Sequence, residues 1–218
     1  FTIYKHEPNN EHSLAHNFVR TVFEDSKGHL LIGTYIGIQM YDPATDNFTP
    51  LAKLEDTGET LESNINSFIE RKNGEIWVSG NVLCKLDIKD HLLTVRKVDI
   101  AVTSPGSLFE DKKQNVWMAK GEEGVYQLTP DNQLTLHLSK DNGYVKSICE
   151  DQRGNIYVGS IRKGLFIYDK ERKTFVPVDL KEKGELPVCF LYSGIPNELY
   201  IGTDGKGVAI YDIRTHEI

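Results

Sequence analysis

The sequence predicts an all-β protein, a β-propeller of about five four-stranded blades. Three observations carry that expectation. A segment recurs five times at intervals near forty residues, each copy alternates apolar and polar residues with period two, and clusters of Asp, Gly, Asn and Pro separate the alternating runs. Residues 1–218 are read as a single propeller domain or a segment of a larger propeller array. Its repeat cores lie near 18–48, 65–98, 104–138, 144–178 and 187–218.

The copies are FEDSKGHLLIGT (23–34), IERKNGEIWVSG (69–80), FEDKKQNVWMAK (109–120), CEDQRGNIYVGS (149–160) and YSGIPNELYIGT (192–203). Leu30, Ile76, Val116, Ile156 and Leu199 share one column, at spacings of 46, 40, 40 and 43. The next column holds Leu31, Trp77, Trp117, Tyr157 and Tyr200, and a third holds only Gly33, Ser79, Ala119, Gly159 and Gly202. Size is kept while charge drifts, which is a packing code. It places Trp77 and Trp117 in the interior between blades.

Within the first copy, FVRTVFED alternates as a strand, with Phe18, Arg20 and Val22 opposite Val19, Thr21 and Phe23. Asp25-Ser-Lys-Gly28 is a tight turn, in which Asp accepts backbone N–H bonds and Gly supplies positive φ. Asp111 and Asp151 match Asp25, while Arg71 and Gly194 replace it in the second and fifth copies. A second strand, a third (GIQMYD, 37–42, and its counterparts) and a fourth near Phe48 complete the unit. A β-sandwich would give regular turns but no self-similarity at this period. The chain ends where a fourth strand of the last copy would start, and residues 1–4 offer a closing strand; an array cut at repeat boundaries explains the ends equally well.

The net charge of −7 argues against nucleic acid as partner, and no apolar run is long enough to insert in a membrane. Cys84, Cys149 and Cys189 lack metal or disulfide spacing and are read as buried free thiols. No catalytic motif is found, so no residue is assigned as catalytic, no metal ligand is assigned and no cofactor is expected. The Glu-Asp pairs at 24–25, 110–111 and 150–151 recur in register as turn-makers. His6, His12 and His16 are close in sequence but lack the carboxylate or second cluster that would complete a metal site.

The phrase Phe-Glu-Asp-x-x-Gly-x-Leu-Leu-Ile-Gly-Thr followed by Gly-Ile-x-x-Tyr-Asp resembles the two-component regulator propeller repeat. So does the entry Ser13-Leu14-Ala15-His16-Asn17-Phe18-Val19, echoed by Thr60-Leu61-Glu62-Ser63-Asn64-Ile65. The resemblance spans the chain and is weakest in copies two and five. It implies a periplasmic, non-enzymatic sensor segment of a hybrid two-component protein of polysaccharide-degrading gut bacteria, with the kinase elsewhere in the parent chain. The partners it implies are a small-molecule or oligosaccharide ligand derived from glycans, other domains of the same sensor chain, and a second copy in a homodimer. A protein-binding scaffold and a propeller lyase or hydrolase are the alternatives.

Variable turns on a constant framework are where a ligand is expected. The candidates are Asn17, Arg20, Tyr35, Asn64, Lys120, Glu122, Tyr144, Arg162, Lys163, Asp204 and Lys206, with Ile36, Asn66, Asn81 and Lys146 nearby. Tyr35 and Tyr144 are suited to stack on a sugar ring. Arg162, Lys163 and Lys206 are expected to gather into a positive patch for an acidic sugar.

Overall fold

A computed structural model describes residues 1–138, 143–180 and 186–218. These residues form twenty strands and no helix, arranged as five small sheets of a β-propeller. The described residues group into two compact units, Phe1–Pro105 and Gly106–Ile218.

In the first unit β1 (Val19–Glu24), β2 (Leu30–Thr34), β3 (Ile38–Asp42) and β4 (Asn47–Phe48) pair antiparallel in chain order. The second sheet is β6 (Ser67–Glu70), β7 (Ile76–Ser79), β8 (Leu83–Lys89) and β9 (Leu92–Lys97). A strand the sequence did not announce, β5 (Lys53–Leu54), adds to it parallel to β9. Leu31, Ile38 and Met40 of the first sheet pack against Ile65, Phe68 and Val78, forming one core between the two sheets.

The second unit holds three sheets. They are β10–β13 (Leu108–Glu110, Val116–Lys120, Gly124–Leu128, Leu134–Leu138), β14–β17 (Val145–Glu150, Ile156–Ser160, Gly164–Asp169, Thr174–Pro177) and β18–β20 (Val188–Tyr192, Glu198–Thr203, Val208–Asp212). Trp117 and Val125 pack against Ile148, Phe166 and Phe175 between the first two. Cys149, Tyr157 and Leu165 pack against Leu191, Leu199 and Ile201 between the next two. The last sheet has three strands. Residues 1–4 form no strand: the Tyr4 ring instead packs tilted against Tyr41 and edge-on against Phe48 of the first sheet, at ring distances of 5.6 and 5.4 Å.

The turn aspartates explain why the copies fold alike. Oδ1 of Asp25, Asp111 and Asp151 each accepts the N–H groups two and four residues on, at 2.8–3.0 Å. The second oxygen takes a donor from the side chain four residues on: His29, Asn115 or Asn155. In the third copy Asp111 Oδ2 also accepts from Trp117 Nε1 at 2.9 Å, tying the turn to a side chain only 1% exposed. Burial works to raise the pKa of Asp25, but the bonds from His29 and Lys27 outweigh it and hold the carboxyl below its ordinary value. The aspartates of the paired acids thus act as turn-makers, while Glu150 accepts the Lys112 N–H of the preceding repeat's turn at 3.1 Å.

Where the aspartate is missing, another acid serves the aromatic. Glu75 accepts from Trp77 Nε1 at 3.1 Å and pairs with Lys85, whose hydrogen bond holds the carboxyl down to about 2. Trp77 is buried beneath Arg71, whose guanidinium lies 4.6 Å from the ring centre. Glu198 likewise accepts from Tyr200 at 2.8 Å.

The column of small residues has a steric cause. A Cβ on Gly33 would come within 2.6 Å of Ile65, and one on Gly159 within 2.3 Å of Val188, so the next repeat's entry residue fills that space. Cys84 and Cys149 are buried, and burial pushes their thiols up to about 11 and about 12. Cys189 departs from expectation: it is only half-buried, at the register shift of β18 between Val188 and Phe190.

Candidate functional site

In the first unit, the β2–β3 turn is pinned by Tyr35 N–H donating to the Phe18 carbonyl at 3.1 Å, which leaves the Tyr35 ring 55% exposed. His16 lies beside it, its ring centre 5.6 Å away. The entry to the second repeat alternates with period two: Leu61, Ser63 and Ile65 point inward and are buried, while Glu62 is exposed and Asn64 half-buried. Ser63 Oγ accepts the Asn81 N–H at 3.0 Å, drawing the β7–β8 turn onto this segment. The close approach needs Gly80, since a Cβ there would sit 2.5 Å from the Asn64 carbonyl oxygen.

Tyr35, Ile36, Glu62, Asn64 and Asn81 thereby line one cavity of about 650 Å³, with Leu51, Thr60 and Ser63 completing its wall. A second hollow of about 570 Å³, walled by His6, Glu7, Asn10 and Gln39 among others, shares Ile36, Leu51 and Thr60 with the first, so the two form one two-lobed groove. The groove has no lysine or arginine in its lining; its charges are Glu62, Glu7 and Glu11. Asn64 Oδ1 is withdrawn from water and has no donor among the described residues. A lone buried acceptor of this kind costs about 1–3 kcal/mol. Gln39 beneath the groove is fully satisfied, accepting from Ala15 N–H and donating to Ser13 and Thr49 carbonyls.

Of the residues singled out from the sequence, Tyr35 and Asn64 meet in this groove with Ile36 and Asn81. Asn17 does not: its Oδ1 accepts the His6 N–H at 2.7 Å, so it anchors the N-terminal segment. Arg20 is exposed on β1 and is not in the groove lining. Asn66 is tied to the Pro105 carbonyl at 3.1 Å. Thr60, Glu62 and Ser63 were treated in the sequence only as parts of the repeat's entry phrase, and Leu51 was missed. The 61–65 alternation already placed Glu62 and Asn64 on one side.

In the second unit the named residues fall into pairs. Arg162 bonds Glu122 at 2.8 Å, and Lys120 bonds Glu123 at 2.8 Å. Tyr144 lies against Gly121, whose carbonyl accepts the Val145 N–H, and Lys146 Nζ lies 6.0 Å from the Tyr144 ring centre. The Lys206 N–H donates to Thr203 Oγ1 and the Asp204 N–H to the Pro187 carbonyl; Lys163 and Lys206 also have further partners. Of the positive patch expected from Arg162, Lys163 and Lys206, the arginine is thus paired with Glu122. No three His, Cys, Asp or Glu side chains converge as a metal site among the described residues.

Residues 13–35 and 139–162 match the model of the two component regulator propeller. Two stretches of the chain are thus similar to two-component regulator propeller repeats. The matched stretches contain Tyr35 of the groove and the Tyr144–Arg162 region. No curated protein matches the sequence. Among solved structures, the extracellular domain of BT3049, assigned as a hybrid two component system of B. thetaiotaomicron, superposes with TM-score 0.73 at 18% identity, over 96% of this chain and 28% of that one. The extracellular domain of BT4673 from the same organism gives 0.76 at 19% identity, over 98% and 31%. This chain thus spans under a third of those domains. An inactivated virginiamycin B lyase from Staphylococcus aureus, solved with quinupristin, gives 0.66 at 12% identity, over 93% and 73%. At these identities the likenesses establish the propeller fold.

Proposed function

We propose that the chain is a non-enzymatic, ligand-sensing propeller segment of a two-component sensor, located outside the cytoplasm, and that the two-lobed groove of Phe1–Pro105 takes a neutral oligosaccharide. One observation carries this reading: Tyr35, Asn64 and Asn81 converge on one cavity. The exposed Tyr35 ring offers a flat apolar face, and the Glu62, Asn64 and Asn81 side chains offer acceptors and donors to hydroxyls. A groove lined by carboxylates and free of cations favours an uncharged sugar over an acidic one. The repeats support the sensor role, and the likeness to extracellular domains of two-component systems supports the location. Calorimetry with neutral oligosaccharides of two to four units tests it. Binding that weakens at least tenfold, about 1.4 kcal/mol, in Tyr35→Ala is expected; equal binding by that variant removes the site.

An exposed apolar surface favours a second reading. Phe190, Tyr192, Val208 and Ile210 lie on one side of the last sheet, and Val208 is 68% exposed. Their counterparts in the preceding sheet, Cys149 and Leu165, are buried against the last sheet. We infer that another sheet of the same kind covers this side. Sedimentation of the protein and its Val208→Lys variant at increasing concentration distinguishes self-association through it from a monomer.

A further inference from the structure

The second unit contains a cavity of about 520 Å³ between β13 of one sheet and the β16–β17 turn of the next. We propose that it is an anion site, separate from the groove proposed above, for a small molecule carrying a sulfate, phosphate or carboxylate group.

Three ammonium groups stand around this hollow, on Lys113, Lys170 and Lys173, and no carboxylate belongs to its lining. None of the three is paired with an acid among the described residues, whereas Lys120, Arg162, Arg172 and Arg214 each have one. The neighbouring carboxylates are already engaged. Asp111 is turned into its own turn and holds Asn115 and Trp117, and Asp169 faces Arg172 at 3.6 Å. Glu171 lies in the same turn but outside the lining. Three like charges around a concave, partly apolar surface repel one another, and a bound anion relieves that repulsion. On a chain of net charge −7 such a gathering also sets this place apart from the rest of the surface.

The cavity is firmly walled. His137 is held between the Lys173 carbonyl at 3.0 Å and Gln127 Oε1 at 2.8 Å, and its ring lies 5.3 Å from Trp117 and 5.1 Å from Tyr168. Thr174 Oγ1 donates to the His137 carbonyl at 3.1 Å, locking the turn that carries Lys170 and Lys173 to β13. Tyr168 and the exposed Leu136 supply a flat apolar wall beside the lysines, suited to a ligand that joins a ring to an anionic group.

Calorimetry at low ionic strength with inorganic sulfate, inorganic phosphate and glucose 6-sulfate, against glucose, tests the proposal. Glucose 6-sulfate is expected to bind, and its affinity to fall roughly tenfold when salt is raised to physiological strength. Joint replacement Lys113→Ser, Lys170→Ser and Lys173→Ser should reduce that affinity at least tenfold with an unchanged melting temperature. Lys170→Ser alone, at an exposed turn position, gives the same direction if the triple variant is unstable. The set Arg162→Ser, Lys163→Ser and Lys206→Ser, and separately Tyr35→Ala, should bind as the parent does. Heat from none of the anionic probes, or equal binding by the Lys113, Lys170 and Lys173 variant, overturns the anion site and leaves the neutral groove to be judged on its own test.

Discussion

The groove of the first unit and the lysine-lined cavity of the second are each built where one sheet packs on the next, yet they present opposite chemistry. The first offers acceptors, an exposed tyrosine and three carboxylates; the second offers three ammonium groups with no acid partner among the described residues and a histidine-tyrosine wall. The contrast teaches that the number of charges in a turn says little about what the turn binds. Lys120-Gly-Glu-Glu123 and Ile161-Arg-Lys163 are dense in charge but tie Lys120 to Glu123 and Arg162 to Glu122. Exposed ion pairs of that sort stabilise by only about 0–1 kcal/mol. Charges left without an internal partner are the ones available to a ligand.

The largest expected effect comes from breaking the wall of the second cavity. Trp117 is buried against Phe175 and Tyr168 and donates to Asp111. Trp117→Ala should cost about 3–5 kcal/mol in denaturant unfolding and abolish anion binding with it. A cost below about 1 kcal/mol would mean that the aromatic cluster does not hold the cavity.

Breaking the groove should be milder. Gly80→Ala places a Cβ against the Asn64 carbonyl and Ser63 Oγ, so backbone must move, at about 1–3 kcal/mol. Sugar binding should be lost while glucose 6-sulfate binding is kept. Loss of both ligands together would show that the two places are not separate.

Much of this architecture was legible because the repeat is a packing code. The aromatic and small columns announced Trp117, Gly33 and Gly159, each of which meets the next sheet as expected. Tyr35 and Asn64 could be singled out because the framework around them is constant, and they line one cavity. The lysine cavity was not found. Lys113 belongs to a turn in the third repeat, while Lys170 and Lys173 belong to a turn between the last two strands of the fourth. Such residues come together only when two sheets pack, and no spacing along the chain records it. Charge pairing was equally hidden: Arg162 and Glu122 lie 40 residues apart. The short β5 followed from its parallel pairing with β9, which leaves no local pattern.

Asn64→Ala sharpens the comparison without disturbing the fold. Removing an acceptor that has no donor should leave stability unchanged or raise it by up to about 1 kcal/mol. Affinity for the neutral oligosaccharide should fall about tenfold. A clear loss of stability, seen in the urea midpoint, would mean that the oxygen already has a partner in solution.

The smallest effect concerns a cation that is paired, in contrast to the three that are not. Lys85 hydrogen-bonds Glu75 and holds its carboxyl at about 2, below the ordinary 4.5. A carboxyl depressed on folding stabilises the protein above its unfolded pKa, and that contribution fades as pH falls through the folded value. The difference in melting temperature between the parent and Glu75→Gln should therefore be fully present at pH 6. It should shrink between about 4.5 and about 2. Both side chains are about one-third exposed, so the difference at pH 6 should correspond to only about 0.2–1 kcal/mol. Among the described residues Lys113, Lys170 and Lys173 have no acid partner, so replacing all three should leave the acid limb of the curve where it is in the parent. A shift of that limb in the lysine variant would show that one of the three is paired with an acid, and would close the gap between the two cavities from the other side.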